Sequence, residues 1–197
     1  MSDRYELFLT CPKGLEGLLA EEATALGLEE TREHTSAIRG SADMETAYRL
    51  CLWSRLANRV LLVLKRFPMK DAEDLYNGVD KLRTADGSRP SVDKLNPDLR
   101  VHLRLDRGEA ILSLDLSGHS LHQRGYRLQQ GAAPLKENLA AAILIRAGWP
   151  RIASEGGALA DPMCGVGTFL VEAAMIAADI APNLKRERWG FSAWLGH

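Results

Sequence analysis

The sequence predicts an α/β protein whose N-terminal part is of the α+β type. Three observations predict this class. The first 67 residues alternate strand, helix, strand pair, helix and strand, and a strand hairpin follows between residues 99 and 116. After a further helix, a glycine-containing turn at residues 161–168 stands between a short apolar segment, which is predicted to be a strand, and an Ala-rich helix. The chain of 197 residues can hold one large or two small domains.

Residues 1–67 are predicted to form a ferredoxin-like sandwich, in which both helices cover one face of a small antiparallel sheet. Gly27 closes the first helix, and Asp43 is a suitable N-cap for the second, which is expected to continue to Ser54 or beyond. The predicted elements are a strand at Tyr5–Thr10, a helix at Leu15–Leu26, a strand pair within Glu29–Gly40, a helix after Asp43 and a strand at Arg59–Lys65.

Residues 68–127 are predicted to form a second unit. It begins with a short helix at Asp71–Val79 and a polar loop at Val79–Pro97. Leu99–Leu105 and Ala110–Leu116 then alternate apolar and polar residues across a four-residue turn, which predicts a hairpin. Residues 128–197 form the third unit, with a helix that starts at Pro134 and ends at Gly148, ahead of the glycine turn.

The composition excludes several classes of protein. With 46% hydrophobic residues the chain can bury a core, and its apolar runs are shorter than the roughly 18 residues of a membrane span. The three cysteines are far apart and show no metal-type spacing, so we expect neither disulfides nor zinc, and a cytoplasmic protein. A net charge of −1 excludes a generally basic nucleic-acid binder. Any contact with nucleic acid must therefore come from local patches.

The turn Asp161-Pro162-Met163-Cys164-Gly165-Val166-Gly167-Thr168 is the main candidate site. Gly165 and Gly167 permit backbone angles closed to other residues, and they let a ligand touch the main chain. Glycines also occur in such turns purely for packing. No third glycine or lysine follows to handle a pyrophosphate, although a nicotinamide-dependent oxidoreductase stays an alternative. The acidic Asp161 instead suits a ligand with an ammonium group beside a neutral chain, as in S-adenosylmethionine.

This turn resembles the first cofactor motif of methyltransferases that act on exocyclic amines of nucleic-acid bases. Six further segments make nearly the whole chain similar to the bacterial 23S ribosomal RNA guanine-N2 methyltransferase family RlmL, also found fused as RlmKL. The segments are Gly14-Leu15-Glu16, Leu52-Trp53-Ser54-Arg55-Leu56-Ala57, Leu114-Asp115-Leu116-Ser117-Gly118, Leu121-His122-Gln123-Arg124-Gly125-Tyr126-Arg127, Pro134-Leu135-Lys136-Glu137 and Arg188-Trp189-Gly190-Phe191.

The resemblance implies a ferredoxin-like region and a THUMP domain that bind large-subunit ribosomal RNA. In the chain, both precede a Rossmann-like methyltransferase domain. It also implies an S-adenosylmethionine cofactor, and no metal or membrane. The residues that it assigns to the cofactor are Asp161, Pro162, Cys164, Gly165, Gly167 and Thr168, together with Leu135, Lys136 and Glu137. An ordinary solvated helix start is the alternative for Lys136 and Glu137, and Cys164 is expected to be a small packing residue.

Two local patches are candidates for RNA binding. Basic residues outnumber acidic ones between Arg39 and Arg66, and a second patch interleaves basic and aromatic residues near a domain junction. Arg55 and Arg59 are four residues apart and share a helix face if the second helix continues that far. A solvated helix face is the structural alternative for the first patch, and an interdomain rim is the alternative for the second. His119 and His122 lack the company of other metal ligands. The predicted RNA-binding residues are Arg55, Arg59, Lys65, Arg66, Arg124, Tyr126 and Arg127.

The sequence departs from the family pattern in two places. It contains no Asn/Asp-Pro-Pro-aromatic motif, which in such enzymes binds the target amine and stacks the flipped base. We therefore expect no catalytic residue in this chain, and no activity from it alone. Residues 79–97 are also too short for the additional strand and helix that relatives carry there, so the THUMP-like region is predicted to be incomplete. An RNA-binding module or fragment without catalysis is the alternative function.

Overall fold

The computed structural model describes residues 3–80, 87–88, 93, 97–127 and 134–194. Much of the predicted polar loop at Val79–Pro97 therefore lies outside the described residues. The elements are β1 (Tyr5–Thr10), α1 (Glu16–Ala25), β2 (Glu29–His34), β3 (Ala37–Ala42), α2 (Met44–Trp53), β4 (Arg59–Pro68), α3 (Ala72–Asp80), β5 (Val101–Asp106), β6 (Glu109–Asp115), α4 (Glu137–Arg146), α5 (Trp149–Ser154) and α6 (Thr168–Ala177).

The strands form a single antiparallel sheet with the order β2-β3-β1-β4-β6-β5. The first four strands have the ferredoxin-like order, which confirms the prediction for the N-terminal part. β4 pairs with β1 through Arg59–Leu62 and with β6 along almost its whole length. The hairpin β5–β6 thus extends the same sheet, and the predicted boundary at residue 67 falls inside β4.

Local sequence signals account for several of these elements. The Asp43 carboxylate accepts a hydrogen bond from the Thr46 amide at 2.8 Å and caps α2, as predicted. The β5–β6 loop consists of Arg107 and Gly108, both with positive φ, as in a tight type I′ hairpin turn. α2 ends at Trp53, earlier than predicted, because Ser54 adopts an extended backbone. Arg55 and Arg59 therefore share no helix face, which corrects that prediction.

The two faces of the sheet are covered differently. The main core lies on the helix face, where residues of α1, α2 and α4 pack against Leu7, Leu9, Val60, Leu62 and Leu114. The opposite face carries a smaller cluster of Phe8, Ala37 and Leu61, with Val63 beside it, and all four are strand residues. We call this second surface the open face. Within the described parts of the chain, no helix residue belongs to its apolar cluster.

The helix face is poorly covered at its β5 edge. Val101, Leu103 and Leu105 pair with Leu114, Leu112 and Ala110, so they lie on the helix face. Their exposed fractions are nevertheless 56%, 37% and 54%. We call these three residues the β5 patch. An apolar stripe on an edge strand is normally covered by another element.

The predicted strand ahead of the glycine turn is absent. Residues 157–161 have no regular secondary structure, and Leu159 is 37% exposed. A strand requires a hydrogen-bonding neighbour, and the described residues supply none next to this segment. The turn and the helix after it are present as predicted. A helix long and apolar enough to cross a membrane does not occur among the described residues.

Candidate cofactor site

The glycine turn leads directly into α6. Gly167 is the N-cap residue of this helix and has a φ of 77°, while Gly165 has a φ of 53°. The Gly167 amide donates to the Cys164 carbonyl at 2.7 Å, which closes the turn. A Cβ atom at either glycine would meet no atom within 4 Å. The positive φ angles favour glycine at both positions, and the space beside the main chain is open to a ligand.

Acidic and exposed groups line the beginning of the turn. One carboxylate oxygen of Asp161 accepts a hydrogen bond from the Met163 amide at 3.1 Å, which fixes the carboxylate beside the turn. Pro162, Met163 and Cys164 are exposed, and Met163 is 91% exposed. The amides at the start of α6 add the positive end of a helix dipole. This arrangement can bind a ligand that combines a cationic group with polar groups reaching the main chain.

Arg127 connects the glycine turn to the second predicted cofactor segment. One guanidinium nitrogen, Nη2, donates to the Leu135 carbonyl at 2.6 Å and to the Thr168 hydroxyl at 3.2 Å. The same nitrogen lies 3.4 Å from the Glu137 carboxylate. The structure therefore brings residues 135–137 beside the start of α6. Lys136, at the N-cap of α4, is exposed.

A buried ionic cluster lies behind this site and consists of Arg55, Arg124, Tyr126 and Glu172. Glu172 is fully buried on α6. Its carboxylate accepts from the Tyr126 hydroxyl at 3.0 Å and lies 3.6 Å from Nε of Arg124. The cluster thereby joins α6 to residues 124–127, which precede α4 in the chain.

The two arginines of the cluster are bound to backbone carbonyls. Arg124 donates to the carbonyls of Leu121 and Arg55, at 2.5 and 2.6 Å. Arg55 donates to the carbonyl of Ile180 at 2.9 Å, just beyond α6. The ferredoxin-like part is thus tied to the segment that carries the cofactor turn. Buried charged groups of this kind are costly unless they are paired, so the cluster fixes the relative position of its members.

Burial changes the pKa values of three groups in this region. It raises the pKa of Glu172 above the usual carboxylate range, although Arg124 and Arg55 act in the opposite direction. It also raises the pKa of the Tyr126 hydroxyl. Burial and the nearby charges of Lys136 and Arg124 lower the pKa of His122 to about 4, so its imidazole is neutral near pH 7.

The predicted RNA-binding residues are divided between buried and partly exposed positions. Arg55 and Arg124 are 9% and 5% exposed and are bound to carbonyls, so we no longer expect them to contact phosphate. Tyr126 and Arg127 belong to the cluster and the cofactor site.

Three predicted RNA-binding residues lie on β4. Arg59 forms an ion pair with Asp115, and Arg66 binds both carboxylate oxygens of Glu6, at 3.1 and 2.5 Å. The Lys65 ammonium lies 5.8 Å from the centroid of the Phe67 ring. Lys65 and Arg66 are only partly buried and keep some exposed surface.

The cysteines and potential metal ligands add no second site. Burial, Glu16 and Glu33 raise the pKa of Cys11 to about 12, and burial also raises the pKa of Cys51. Among the residues that the structure describes, no three His, Cys, Asp or Glu side chains form a group able to hold a metal ion.

Three family models match consecutive parts of the chain. Residues 6–61 match the RlmL ferredoxin-like domain, residues 70–115 match the THUMP domain, and residues 124–195 match the RMKL-like methyltransferase domain.

Curated proteins and solved structures agree with these matches. The chain is 79% identical to the ribosomal RNA large subunit methyltransferase K/L of Pseudomonas savastanoi, in an alignment of 238 positions that covers 100% of the chain and 32% of that protein. The chain thus spans about a third of the length of the curated relatives it matches. A predicted N6-adenine-specific DNA methylase from Listeria monocytogenes is 25% identical with a TM-score of 0.80, over 98% of this chain and 60% of that one.

A putative methyltransferase solved in complex with SAH is 28% identical, also with a TM-score of 0.80, over 100% of this chain and 62% of that one. The fold, the glycine turn and these matches define a class, the methyltransferases that combine a ferredoxin-like domain with a THUMP domain. Within that class, the chain belongs to the RlmL/RlmKL family.

Proposed function

We propose that this chain belongs to an enzyme that methylates the exocyclic N2 of a guanine in 23S ribosomal RNA, with S-adenosylmethionine as methyl donor. In that enzyme, this portion would bind the RNA and contribute the glycine turn of the cofactor site. The observation that carries the proposal is the open glycine turn at residues 161–168, which Arg127 connects to residues 135–137. The name of the relatives, ribosomal RNA large subunit methyltransferase K/L, supports the same substrate. A cytoplasmic location follows from a ribosomal substrate.

The residues of the turn fit the amino-acid end of S-adenosylmethionine. The Asp161 carboxylate would bind the ammonium group, while the open main chain at Gly165 and Gly167 would lie against the ligand. The bound cofactor supplies an electrophilic methyl group on its sulfonium. SAH, the demethylated form of this cofactor, is bound to one of the solved relatives.

Residues 135–137 are proposed to contact the same end of the cofactor in different ways. Leu135 and Lys136 keep exposed surface beside the turn. Glu137 is buried and lies against Arg127, so it acts through that arginine as a positioning residue. The Asn/Asp-Pro-Pro-aromatic motif is not in this chain, and we assign methyl transfer to the longer protein.

We also propose that the THUMP domain of this chain is shortened. The alignment with the Pseudomonas savastanoi relative has 238 positions for 197 residues here, so 238 − 197 = 41 of its positions have no counterpart in this chain. The exposed β5 patch is what the loss of a covering element would leave on the helix face. The ferredoxin-like part and the remaining THUMP strands would then bind the ribosomal RNA.

Analysis of the methylated product tests the proposed function. The full-length protein that contains this chain is incubated with 23S ribosomal RNA and methyl-labelled S-adenosylmethionine, and the RNA is digested to nucleosides. We expect the label in N2-methylguanosine, and at least a hundredfold less label with Asp161→Ala, because the ammonium of the cofactor loses its counter-ion. The matched control, Asp179→Ala, should leave the yield unchanged. Label on adenine, or none with the wild-type protein, would contradict the proposal.

A further inference from the structure

The open face contains a cavity that the cofactor site does not use. Its volume is about 290 Å³, close to the lower end of the range for small-ligand pockets. The floor is apolar and consists mainly of Phe8, Leu61 and Ile111, from three neighbouring strands. These side chains are only 5%, 3% and 3% exposed, so the floor is recessed below the surrounding residues. An apolar floor suits an aromatic ring such as that of a nucleobase.

The rim of the cavity is polar and partly cationic. Thr10 is partly exposed and contributes a hydroxyl group, and His102 and Arg104 lie on the edge strand β5. The Ser113 hydroxyl also lines the cavity but is buried, with 3% exposure. His102 is exposed, and Arg104 is partly exposed. Hydroxyl, imidazole and guanidinium groups can donate to or accept from the edge of a nucleobase.

Two arginine side chains lie over the Phe8 ring of the cavity floor. The guanidinium carbons of Arg104 and Arg66 lie 5.3 and 6.0 Å from the centroid of the Phe8 ring. Arg104 has a loose ion pair with Asp106, at 3.8 Å, and Arg66 is held by Glu6. The edge of the Arg66 guanidinium is occupied by the Glu6 carboxylate, whereas Arg104 still offers donors to phosphate and its outer plane to a base. The site therefore combines base-sized space with a cation for the flanking backbone.

The cavity is accessible to a chain molecule. The residues that line it come from strands and adjoining turns, and none of them lies in a described helix. Some RNA-binding domains with a four-stranded sheet bind single-stranded RNA by stacking unpaired bases on the uncovered face of that sheet. An A-form duplex cannot insert a base into a recess because its bases stay paired and stacked.

We infer that the open face binds one unpaired nucleobase of RNA in the cavity between Phe8, Leu61 and Ile111, with Arg104 contacting an adjoining phosphate. This site rests on the proposed function, since it supplies an RNA contact for the same enzyme. It is separate from the cofactor turn, and it gives the ferredoxin-like and THUMP parts a shared role, because β1, β4, β5 and β6 all contribute to it.

Fluorescence anisotropy with the full-length protein and no cofactor tests the inference. The probes are a labelled single-stranded RNA decamer and the same decamer in a duplex. We expect tighter binding of the single strand. Arg104→Gln should weaken that binding about tenfold and reduce its salt dependence by about one phosphate contact. His102→Ala, at an exposed position, should weaken it about threefold. Thr10→Tyr fills the cavity and should abolish the preference for the single strand.

The matched control is Arg151→Gln, which removes an arginine from an exposed ion pair on α5 and should change neither affinity. Circular dichroism verifies the fold of each variant, and Arg104→Gln and His102→Ala suffice if Thr10→Tyr does not fold. Equal affinities for Arg104→Gln and the control would overturn the site while leaving the proposed function intact. Equal binding of both wild-type probes would overturn the unpaired-base assignment. No RNA binding at all would contradict the site and the proposed function together.

Discussion

Gly190→Ala should lower the free energy of unfolding of this chain by about 3 kcal/mol or more. A Cβ atom at position 190 would overlap the carbonyl oxygen of Asp115 and lie 2.8 Å from the amide of Gly118. Both neighbours are backbone atoms, at the end of β6 and just beyond it, so relief of the clash would disturb the pairing of β6 with β4 and β5. Overpacking against side chains costs about 1–3 kcal/mol, and rigid backbone allows less relief.

The clash should also detach the segment that follows α6. The Gly190 amide donates to the Leu116 carbonyl at 3.0 Å, and Trp189, Phe191 and Trp194 pack against the main core. Urea denaturation measures the loss of stability, and a red shift of tryptophan emission reports the detachment. The matched control is Gly17→Ala, because Gly17 lies in α1 with space for a Cβ and should gain helix propensity. Equal stability of Gly190→Ala and the wild type would contradict the described contact.

Glu172→Ala should cost about 3–5 kcal/mol of stability, as expected when one partner of a buried ion pair is removed. The substitution leaves the Tyr126 hydroxyl without its acceptor and the Arg124 guanidinium without its carboxylate. It also opens a void beneath α6, since Glu172 is fully buried. Because the cluster connects α6 to the rest of the chain, cofactor affinity should fall as well. Denaturant unfolding measures the first effect and calorimetric titration the second.

The control for this prediction is Glu155→Ala. Glu155 also pairs with an arginine, Arg151, at 3.0 Å, but that pair is exposed and should contribute less than about 1 kcal/mol to the stability.

The pH dependence of the unfolding free energy, compared between the wild type and Glu172→Gln, provides a second test. Burial raises the pKa of Glu172, so the folded protein holds this proton at higher pH than the unfolded chain does. Wild-type stability should therefore decline as pH rises from the usual carboxylate pKa to the raised one, and less steeply in Glu172→Gln.

Short-range signals predicted most of the fold. The capping role of Asp43, the hairpin turn at Arg107 and Gly108, and the conformations of Gly165 and Gly167 all depend on neighbours within a few residues. Patterns at this distance are visible in a sequence because they follow from backbone geometry and helix or strand periodicity. The strand expected before the glycine turn depends instead on a neighbouring strand, and periodicity says nothing about whether one is present.

The role of the arginines could not be predicted from spacing. Arg127 contacts Thr168, 41 positions later, and Tyr126 contacts Glu172, 46 positions later. An arginine next to an aromatic residue has the same local pattern whether it binds phosphate or a buried carboxylate. The open-face cavity was missed for a similar reason, since Phe8 and Arg104 come together only through the order of the strands.

Calorimetric titration of the full-length protein with S-adenosylmethionine tests the central claim most directly, that residues 161–168 form the methyl-donor site. The account predicts saturable binding by the wild type, at least a hundredfold weaker binding by Asp161→Ala, and unchanged binding by the control Asp179→Ala. Arg127→Met should weaken binding less than Asp161→Ala, because it acts by positioning residues 135–137 against Thr168. Equal affinities for the wild type and Asp161→Ala would contradict the account.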